Sequence, residues 1–187
     1  LTRAQQAIKD GKLEAETVPI TIKTRKGETT VSIDEQPGNA NLEKIPSLRP
    51  AFSADGTVTA ANSSSISDGA SALVLASANA VEARNLTPVA KIVAHTTNSR
   101  HPSEFTIAPV GAIEKLFEKT GWEKDDVDLF EINEAFAMVT MAAIKDLDLD
   151  PEKVNIYGGA CAQGHPVGST GSRIIVTLMH ALKQTGG

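Results

Sequence analysis

A glycine-rich stretch with one histidine near its centre constrains the fold of this chain more than any other feature. Its glycines are Gly158, Gly159, Gly164, Gly168 and Gly171. Because ordered glycine costs conformational entropy, such a cluster indicates backbone that turns sharply or passes close to another group. His165 lies in this loop directly before Pro166, and the apolar residues that follow recur at helical spacing. The pattern predicts a loop that runs into the N-terminus of a helix.

Two interpretations of this loop are open from its spacing. It is either a structural turn, with or without a bound phosphate at the helix N-terminus, or part of a catalytic site. The glycine spacing fits neither a Walker loop nor a dinucleotide fingerprint. Histidine exchanges protons near neutral pH, so His165 is a candidate general base.

Composition narrows the class of protein. The 187 residues are 41% hydrophobic, enough for one domain with a core or for two small ones. A net charge of −5 and 4% aromatic residues argue against nucleic-acid binding. No apolar run reaches the length of a membrane span. The single cysteine, Cys161, excludes an internal disulfide and suits a reducing compartment, so we expect a cytoplasmic protein. The mitochondrial matrix is the alternative in a eukaryote.

Strand-like and helix-like segments alternate along the chain, which predicts an α/β fold with a largely covered sheet. A β-hairpin is expected over residues 18–25 and 29–33. The predicted strands of the sheet are residues 72–76, 89–96, 127–132 and 154–157. The predicted helices are residues 1–11, 78–84 and 134–146, one that opens at Pro109, and one after the glycine loop.

Two polar motifs fall where predicted strands end. Asn133 and Glu134 follow the strand that ends at Ile132, and His165 follows the strand that ends near Tyr157. Ligand sites in open α/β sheets lie outside the carboxyl ends of the strands. We therefore expect Asn133 and His165 to face one pocket.

Each candidate also has a structural interpretation. Asn133 is a favoured N-cap for the helix at 134–146, and Glu134 is favourable in a first helical turn whether or not it acts as a base. Cys161 has no basic neighbour in sequence and is expected to be a small buried hydrophobe. The other histidines, at positions 95, 101 and 180, are expected to be structural or solvated. No cluster has metal-ligand spacing, so no metal site is predicted.

Two segments taken together resemble the thiolase family. They are Asn133–Ala137, which reads Asn-Glu-Ala-Phe-Ala, and Gly158–Arg173, which contains Gly-His-Pro-x-Gly. Further family-like motifs occur upstream in the same order, at residues 49–52, 57–60, 62–64 and 68–70. The resemblance runs from Leu1 to Gly187. Within the family, the sequence is most similar to the acetyl-CoA acetyltransferase branch.

The resemblance implies a two-step Claisen exchange between acyl-CoA thioesters, with coenzyme A thioesters as substrates and no further cofactor. In that chemistry a cysteine takes the acyl group, and the reverse direction is thiolysis of acetoacetyl-CoA. It implies that His165 activates the cysteine and polarises the thioester oxygen, and that Asn133 holds the water that completes the oxyanion site. Fixed donors of this kind stabilise a developing oxyanion.

Three substrate contacts follow from the same resemblance. Ser64 would contact the pantetheine arm of coenzyme A, and Phe136 would shape the acyl pocket. Many biosynthetic members carry methionine at the position of Phe105. A phenylalanine there is similar to the members that accept a 2-methyl-branched substrate. Family members often carry a basic residue near the nucleotide end of coenzyme A at the position that follows Asp34 and Glu35. This chain has no basic residue there.

The departures from the family concern its cysteines. Neither family cysteine motif is matched in these residues, and Cys161 belongs to neither. Both ends of the chain look cut, since it starts inside a helical pattern and stops at a helix-ending Gly186-Gly187. We therefore expect the chain to be inactive alone. The alternative is a non-catalytic coenzyme A-binding or interaction module with a thiolase half-fold.

The family fold implied is a layered α/β/α/β/α body with a loop domain. By that analogy residues 1–67 form the end of the loop domain, and 68–88 the closing strand and helix of an absent N-terminal half. Residues 89–187 would form the C-terminal half without its last strands. This assignment predicts exposed apolar surface on residues 72–76, and a full-length homo-oligomer.

Overall fold

The structure, a computed structural model, describes all residues from 1 to 187. Its helices are α1 (Thr2–Lys9), α2 (Glu35–Asn39), α3 (Ala78–Ala83), α4 (Ala108–Thr120), α5 (Ala137–Asp146), α6 (Ala160–Gln163) and α7 (Thr170–Thr185). Its strands are β1 (Ile20–Thr24) and β2 (Gly27–Val31). Five short 3-10 helices lie at Glu14–Glu16, Leu42–Ser47, Pro102–Ile107, Lys124–Asp126 and Pro151–Lys153.

The predicted hairpin is confirmed. β1 and β2 pair antiparallel with Ile20 opposite Val31 and Thr24 opposite Gly27. All ten strand residues are exposed, and Lys23 bonds Glu28 across the pair at 2.9 Å. The charged residues of this hairpin are therefore a solvated edge, which discourages pairing with other chains.

The two longest helices, α4 and α7, have the end signals that the sequence indicates. Pro109 lies in the first turn of α4, and Gly121 ends that helix in the left-handed region at φ 72°. Gly186 ends α7 in the same way at φ 83°. The helices at 1–11, 78–84 and after the glycine loop are confirmed as α1, α3 and α7.

The four predicted strands of a sheet are wrong for this chain. Segments 72–76 and 89–96 form no strand, and segments 127–132 and 154–157 share only a single parallel bridge between Phe130 and Val154. A strand needs a neighbour that supplies the other half of its hydrogen bonds. Within residues 1–187, no other strand pairs with the first two segments.

The apolar surface expected on residues 72–76 is confirmed. Val74 is 98% exposed and Leu75 is 73% exposed. The chain has an accessible surface of 12,975 Å², against about 8,600 Å² for a compact monomer of the same mass. A surface this large, with apolar side chains on it, is typical of a polypeptide that packs against further polypeptide.

Two small cores hold the residues that position the site. The larger consists of Val110, Ile132, Val139, Ala143, Leu149 and Val154. It packs α4 and α5 against the segment that ends at Ile132, directly before Asn133. The smaller consists of Ala7, Tyr157 and Ala181, and joins α1 and α7 to the start of the glycine loop.

α5 begins later than predicted. Its first residue is Ala137 and its N-cap is Phe136, so Asn133 and Glu134 lie before the helix. The prediction that Asn133 is an N-cap is therefore wrong, as is the placement of Glu134 in the first turn. Pairing of residues 62–64 with residues 135–137 replaces the helical bonds in this segment. None of the helices combines the length and apolar character needed to cross a bilayer.

Candidate active site

The two polar junctions meet, as expected from the sequence. The Asn133 Nδ2 atom lies 3.3 Å from His165 Nε2. Asn133 reaches this point from the segment before α5, and His165 from the loop between α6 and α7. Both side chains are part-buried. The contact unites residues that are 32 positions apart in sequence.

A third segment, residues 62–66, holds the two junctions together through its backbone. On one side Ala137 N–H donates to the Asn62 carbonyl at 2.9 Å, and Ser64 N–H donates to the Ala135 carbonyl at 3.1 Å. On the other side His165 N–H donates to the Ser65 carbonyl at 3.1 Å. The position of His165 relative to Asn133 is therefore set by main-chain hydrogen bonds as well as by the side-chain contact.

Ser64 also uses its hydroxyl in this arrangement. Its Oγ donates to the Ala135 carbonyl at 2.9 Å. Since that hydrogen is committed, Ser64 can offer a ligand only the lone pairs of its oxygen. The structure thus places Ser64 beside the Asn133 segment.

The Asn133 side chain has one unused polar atom. Its Oδ1 is buried and has no hydrogen-bond partner. An unsatisfied buried acceptor costs about 1–3 kcal/mol, and native proteins retain few of them. Such an atom next to a histidine is typical of a site that receives a water molecule or a substrate group.

The glycines allow neighbouring side chains to pack directly against the loop backbone at this site. A Cβ atom on Gly159 would lie 2.4 Å from the carboxyl carbon of Glu134. A Cβ atom on Gly164, at φ 87°, would lie 2.2 Å from Ser67 Oγ. The sharp turning and close approach expected from the glycine cluster are both present.

The Glu134 carboxylate connects the segment of Asn133 to the segment of the glycine loop through two hydrogen bonds. Its Oε2 accepts the Cys161 N–H at 3.2 Å, in the first turn of α6. Its Oε1 accepts from Asn155 Nδ2 at 3.1 Å. The carboxylate therefore serves the N-terminus of α6, where the helix dipole favours negative charge, instead of its own helix.

Cys161 is not placed as a nucleophile. Burial raises the pKa of its thiol to about 12, and the Glu134 charge and hydrogen bond add to the effect. The Sγ donates weakly to the Glu134 carbonyl at 3.7 Å. A thiol reacts through its thiolate, so this environment makes Cys161 inert.

Phe105, one of two aromatic rings in contact here, lines an apolar cavity next to Asn133. The Phe105 and Phe136 rings meet edge to face, with centroids 6.0 Å apart and planes at 60°. The cavity has a volume of about 320 Å³. Its lining residues are Phe105, Pro109, Ala112, Ile113, Glu131, Ile132, Asn133, Ala135 and Val139. Mostly apolar cavities with a few polar groups are typical of ligand sites.

One wall of this cavity carries a part-buried carboxyl group that sequence reasoning missed. Burial raises the pKa of Glu131 to about 8, with the Glu16 and Glu134 charges adding to it and the Arg173 charge opposing it. Burial also lowers the pKa of Arg173. The only sequence signal was a charged residue inside an apolar run.

The sequence reasoning also missed Thr170 and Asn155. The Thr170 Oγ1 lies 2.8 Å from His165 Nδ1, and its proximity in sequence to the histidine was the available signal. Asn155 is buried with a positive φ of 47°, which only the structure reveals. His95 and His101 are exposed and lie outside this cluster. No group of three or more metal-ligating side chains is placed to hold a metal ion.

Comparison with family models matches almost the whole chain. Residues 86–187 match the thiolase C-terminal domain, and residues 1–79 match the thiolase N-terminal domain. The chain belongs to the thiolase family. The structure accordingly has a thiolase-like α/β fold.

Individual relatives agree with this assignment. The chain is 50% identical over 188 residues to the cytosolic acetyl-CoA acetyltransferase of Mus musculus, with 99% of this chain and 47% of that protein covered. It superposes on the Bacillus anthracis acetyl-CoA acetyltransferase with a TM-score of 0.94 at 46% identity, over 99% of this chain and 47% of that one. An Ascaris suum thiolase in complex with coenzyme A gives a TM-score of 0.90 at 43% identity, over 97% and 46%. The thiolase-family chain spans about half the length of these relatives.

Proposed function

We propose that this chain forms the base-bearing half of an acetyl-CoA C-acetyltransferase, which joins two acetyl-CoA molecules or cleaves acetoacetyl-CoA with coenzyme A. The observation that carries the proposal is the contact between His165 Nε2 and the Asn133 amide at 3.3 Å. A base and a hydrogen-bonding amide at one point are the two groups that acyl transfer to a thiol requires. The names of the relatives support the choice of substrate.

In the thiolysis direction, His165 Nε2 takes the proton from a cysteine thiol. The sulfur then bonds to the 3-carbonyl carbon of acetoacetyl-CoA, and the carbonyl electrons move to oxygen. Collapse of this oxyanion breaks the bond between C2 and C3, which leaves an acetyl group on sulfur. The C2 carbanion of the departing acetyl-CoA takes a proton from an acid outside these residues. The acetyl group finally passes to the sulfur of a second coenzyme A, whose thiol proton restores the acid, while the departing cysteine sulfur takes its proton back from His165.

The same two side chains stabilise the negative charge that develops on the thioester oxygen as the C2 carbanion forms. Once His165 has taken the proton, its Nε2–H becomes a donor to the developing oxygen charge. Asn133 adds a second interaction, directly or through a water molecule that its unpartnered Oδ1 orients. Removal of one oxyanion-hole donor typically costs about 10²–10³ in kcat.

The acyl and pantetheine parts of the substrate are assigned to the neighbouring surfaces. The cavity beside Asn133, lined by Phe105 with Phe136 packed against that ring, would take the acyl part. Phe105 at this edge is consistent with a 2-methyl-branched acyl group as well. Ser64 would accept a hydrogen bond from the pantetheine arm.

The thiol that carries the acyl group is proposed to come from outside residues 1–187. Cys161 is the only cysteine, and burial raises the pKa of its thiol to about 12, which argues against it as the nucleophile near neutral pH. On this basis the 187-residue polypeptide by itself is inactive. The same observation favours a second candidate, a non-catalytic coenzyme A-binding module with a thiolase half-fold.

The proposal includes the setting of the site. Coenzyme A thioesters are the substrates, and no other cofactor enters the steps above. We assign residues 1–67 to the end of a loop domain, residues 68–88 to the closing strand and helix of an N-terminal half, and residues 89–187 to a C-terminal half. Exposed apolar side chains such as Val74 support the proposal that further polypeptide covers this surface. They also agree with a homo-oligomer. A cytoplasmic location, or the matrix in a mitochondrial form, agrees with the reducing conditions that an acyl-accepting thiol needs.

Thiolysis of acetoacetyl-CoA, followed by loss of the substrate absorbance, tests the proposal. We expect turnover by the natural protein and about a 10²–10⁴-fold loss in the His165→Gln variant. The exposed His95→Gln variant is the matched control and keeps full turnover. The 187-residue polypeptide is expected to bind coenzyme A without turnover.

Two results would contradict parts of this assignment. Full thiolysis by His165→Gln would remove His165 from the mechanism. Coenzyme A binding by the natural protein with no turnover of any acyl-CoA would establish the binding module instead.

A further inference from the structure

We infer that Thr170 is a positioning residue that sets the tautomer of His165, so that Nε2 carries the lone pair that faces Asn133. The inference rests on the proposed function for its catalytic meaning. Its structural part rests on three hydrogen bonds that join Pro166, Thr170, His165 and Asn133 in a chain.

The direction of each bond in this chain follows from the donors available. The Thr170 hydroxyl donates to the Pro166 carbonyl at 3.0 Å. A hydroxyl has one hydrogen, so towards His165 the Thr170 oxygen acts as an acceptor. The atom 2.8 Å from it, His165 Nδ1, must therefore carry the hydrogen.

The other ring nitrogen gives the same answer. In neutral imidazole one nitrogen is a donor and the other is an acceptor. With Nδ1 protonated, Nε2 is the acceptor, and the amide nitrogen of Asn133, as oriented in the structure, donates to it at 3.3 Å. Both contacts of the ring thus agree on a single tautomer.

Thr170 is rigidly held for this role. It is the first residue of α7 and only 2% exposed. Its backbone N–H donates to the Pro166 carbonyl at 2.9 Å, as its side chain does. The hydrogen bond made by one ring nitrogen decides which nitrogen is free for chemistry. A fixed acceptor at Nδ1 therefore keeps Nε2 unprotonated, so that its lone pair can receive a thiol proton in place of the Asn133 hydrogen bond.

Thr170→Val removes the hydroxyl and keeps the shape of the side chain, while Thr170→Ser keeps the hydroxyl. The test is a long-range ¹H–¹⁵N correlation spectrum of the ¹⁵N-labelled natural protein at about pH 8.5, where histidine side chains are generally neutral. The His165→Asn variant assigns the ring signals. We expect Nδ1 protonated and Nε2 unprotonated in the wild type and in Thr170→Ser. In Thr170→Val we expect the two nitrogens to move towards averaged positions.

Activity gives the second readout. We expect Thr170→Val to lower kcat for thiolysis by about tenfold or more, because the wrong tautomer presents a hydrogen to the thiol. KM should stay within about twofold, and Thr170→Ser should recover the rate. A residue that only packs the start of α7 would leave the tautomer and kcat unchanged in Thr170→Val.

The wild-type spectrum alone can overturn the inference. An Nε2-protonated ring in the wild type would do so even if Thr170→Val failed to fold. A correct tautomer without thiolysis by the wild type would count against the proposed function and leave the role of Thr170 in place.

Discussion

Asn155 uses its side-chain amide to bond both backbone polar groups of Ile132. The Ile132 N–H donates to Asn155 Oδ1 at 2.8 Å, and Asn155 Nδ2 donates to the Ile132 carbonyl at 2.8 Å. A strand neighbour would normally supply such a pair. The amide therefore ties the residue before Asn133 to the segment that leads into the glycine loop.

Removal of this amide is expected to destabilise the protein. In Asn155→Ala the buried polar groups of Ile132 lose their partners, and we expect the free energy of unfolding to fall by about 2–4 kcal/mol. Asn155 also has a positive φ of 47°, which alanine disfavours. Asn85→Ala is the matched control, because Asn85 has φ 51° but is exposed. Urea denaturation measures both variants, and equal losses would show that the hydrogen bonds contribute nothing.

The contact between Gly159 and Glu134 gives a second prediction. An alanine at position 159 places its Cβ 2.4 Å from the Glu134 carboxyl carbon, so the carboxylate must leave its two donors. We expect Gly159→Ala to cost about 1–3 kcal/mol. Gly168→Ala is the control, since a Cβ there meets nothing within 4 Å.

A double-mutant cycle tests the cause of that loss. In a Glu134→Ala background the added methyl group of Gly159→Ala has no carboxylate to displace, so its cost should shrink. An unchanged cost in that background would show that the strain arises elsewhere.

The part-buried Glu131 predicts a pH-dependent stability difference. Its pKa is raised from 4.5 to about 8 in the folded chain, mainly by burial. The folded state therefore holds the proton more tightly than the unfolded state. The contribution of this proton to the free energy of unfolding is complete below about pH 4.5. That contribution is lost as the pH rises towards 8.

Glu131→Gln imitates the protonated form at every pH. We expect the variant and the wild type to unfold at similar denaturant concentrations near pH 4.5. Near pH 8.5 the variant should be more stable by a few kcal/mol, on the order of 1.4 kcal/mol per unit of pKa change. Equal stability at both pH values would show that Glu131 ionises normally in the folded protein.

The Cys161 thiol is expected to resist alkylation. With a pKa of about 12, its thiolate fraction at pH 8 is very small. A less acidic thiol is the stronger nucleophile once ionised, which offsets part of the effect, so we expect iodoacetamide to react about 100-fold more slowly than with the unfolded chain. Mass analysis of the peptide that contains Cys161, with and without urea, measures the ratio. A ratio near one would place the thiol in an ordinary environment.

Much of the site could be predicted from sequence. His165 stood out because glycines frame it, and Asn133 because it follows an apolar segment. The expectation that both residues follow the carboxyl ends of neighbouring strands correctly brought them together, although the two segments share only a single bridge. The hairpin and α4 could be predicted because turn residues, alternation and helix signals act within a few positions of the chain.

The errors and omissions share a physical cause. Asn133 has the residue type of an N-cap, but the pairing of residues 62–64 with residues 135–137 delays the start of α5. Residues 72–76 have a strand-like sequence but no neighbour to pair with within this chain. Strands and buried side chains depend on partners far along the chain, which local patterns do not contain.

The sequence by itself determined the chemical groups of this thiolase-family chain, the flexible glycine frame around its histidine and the helices that have their own end signals. Only the tertiary structure decided which side chains contact the two nitrogens of His165, which groups surround Cys161 and Glu131, and how Asn155 completes the bonding of Ile132. Those properties depend on distances of about 3 Å between residues many positions apart. Hydrogen-bond direction and desolvation act at that range and are settled only when the chain has folded.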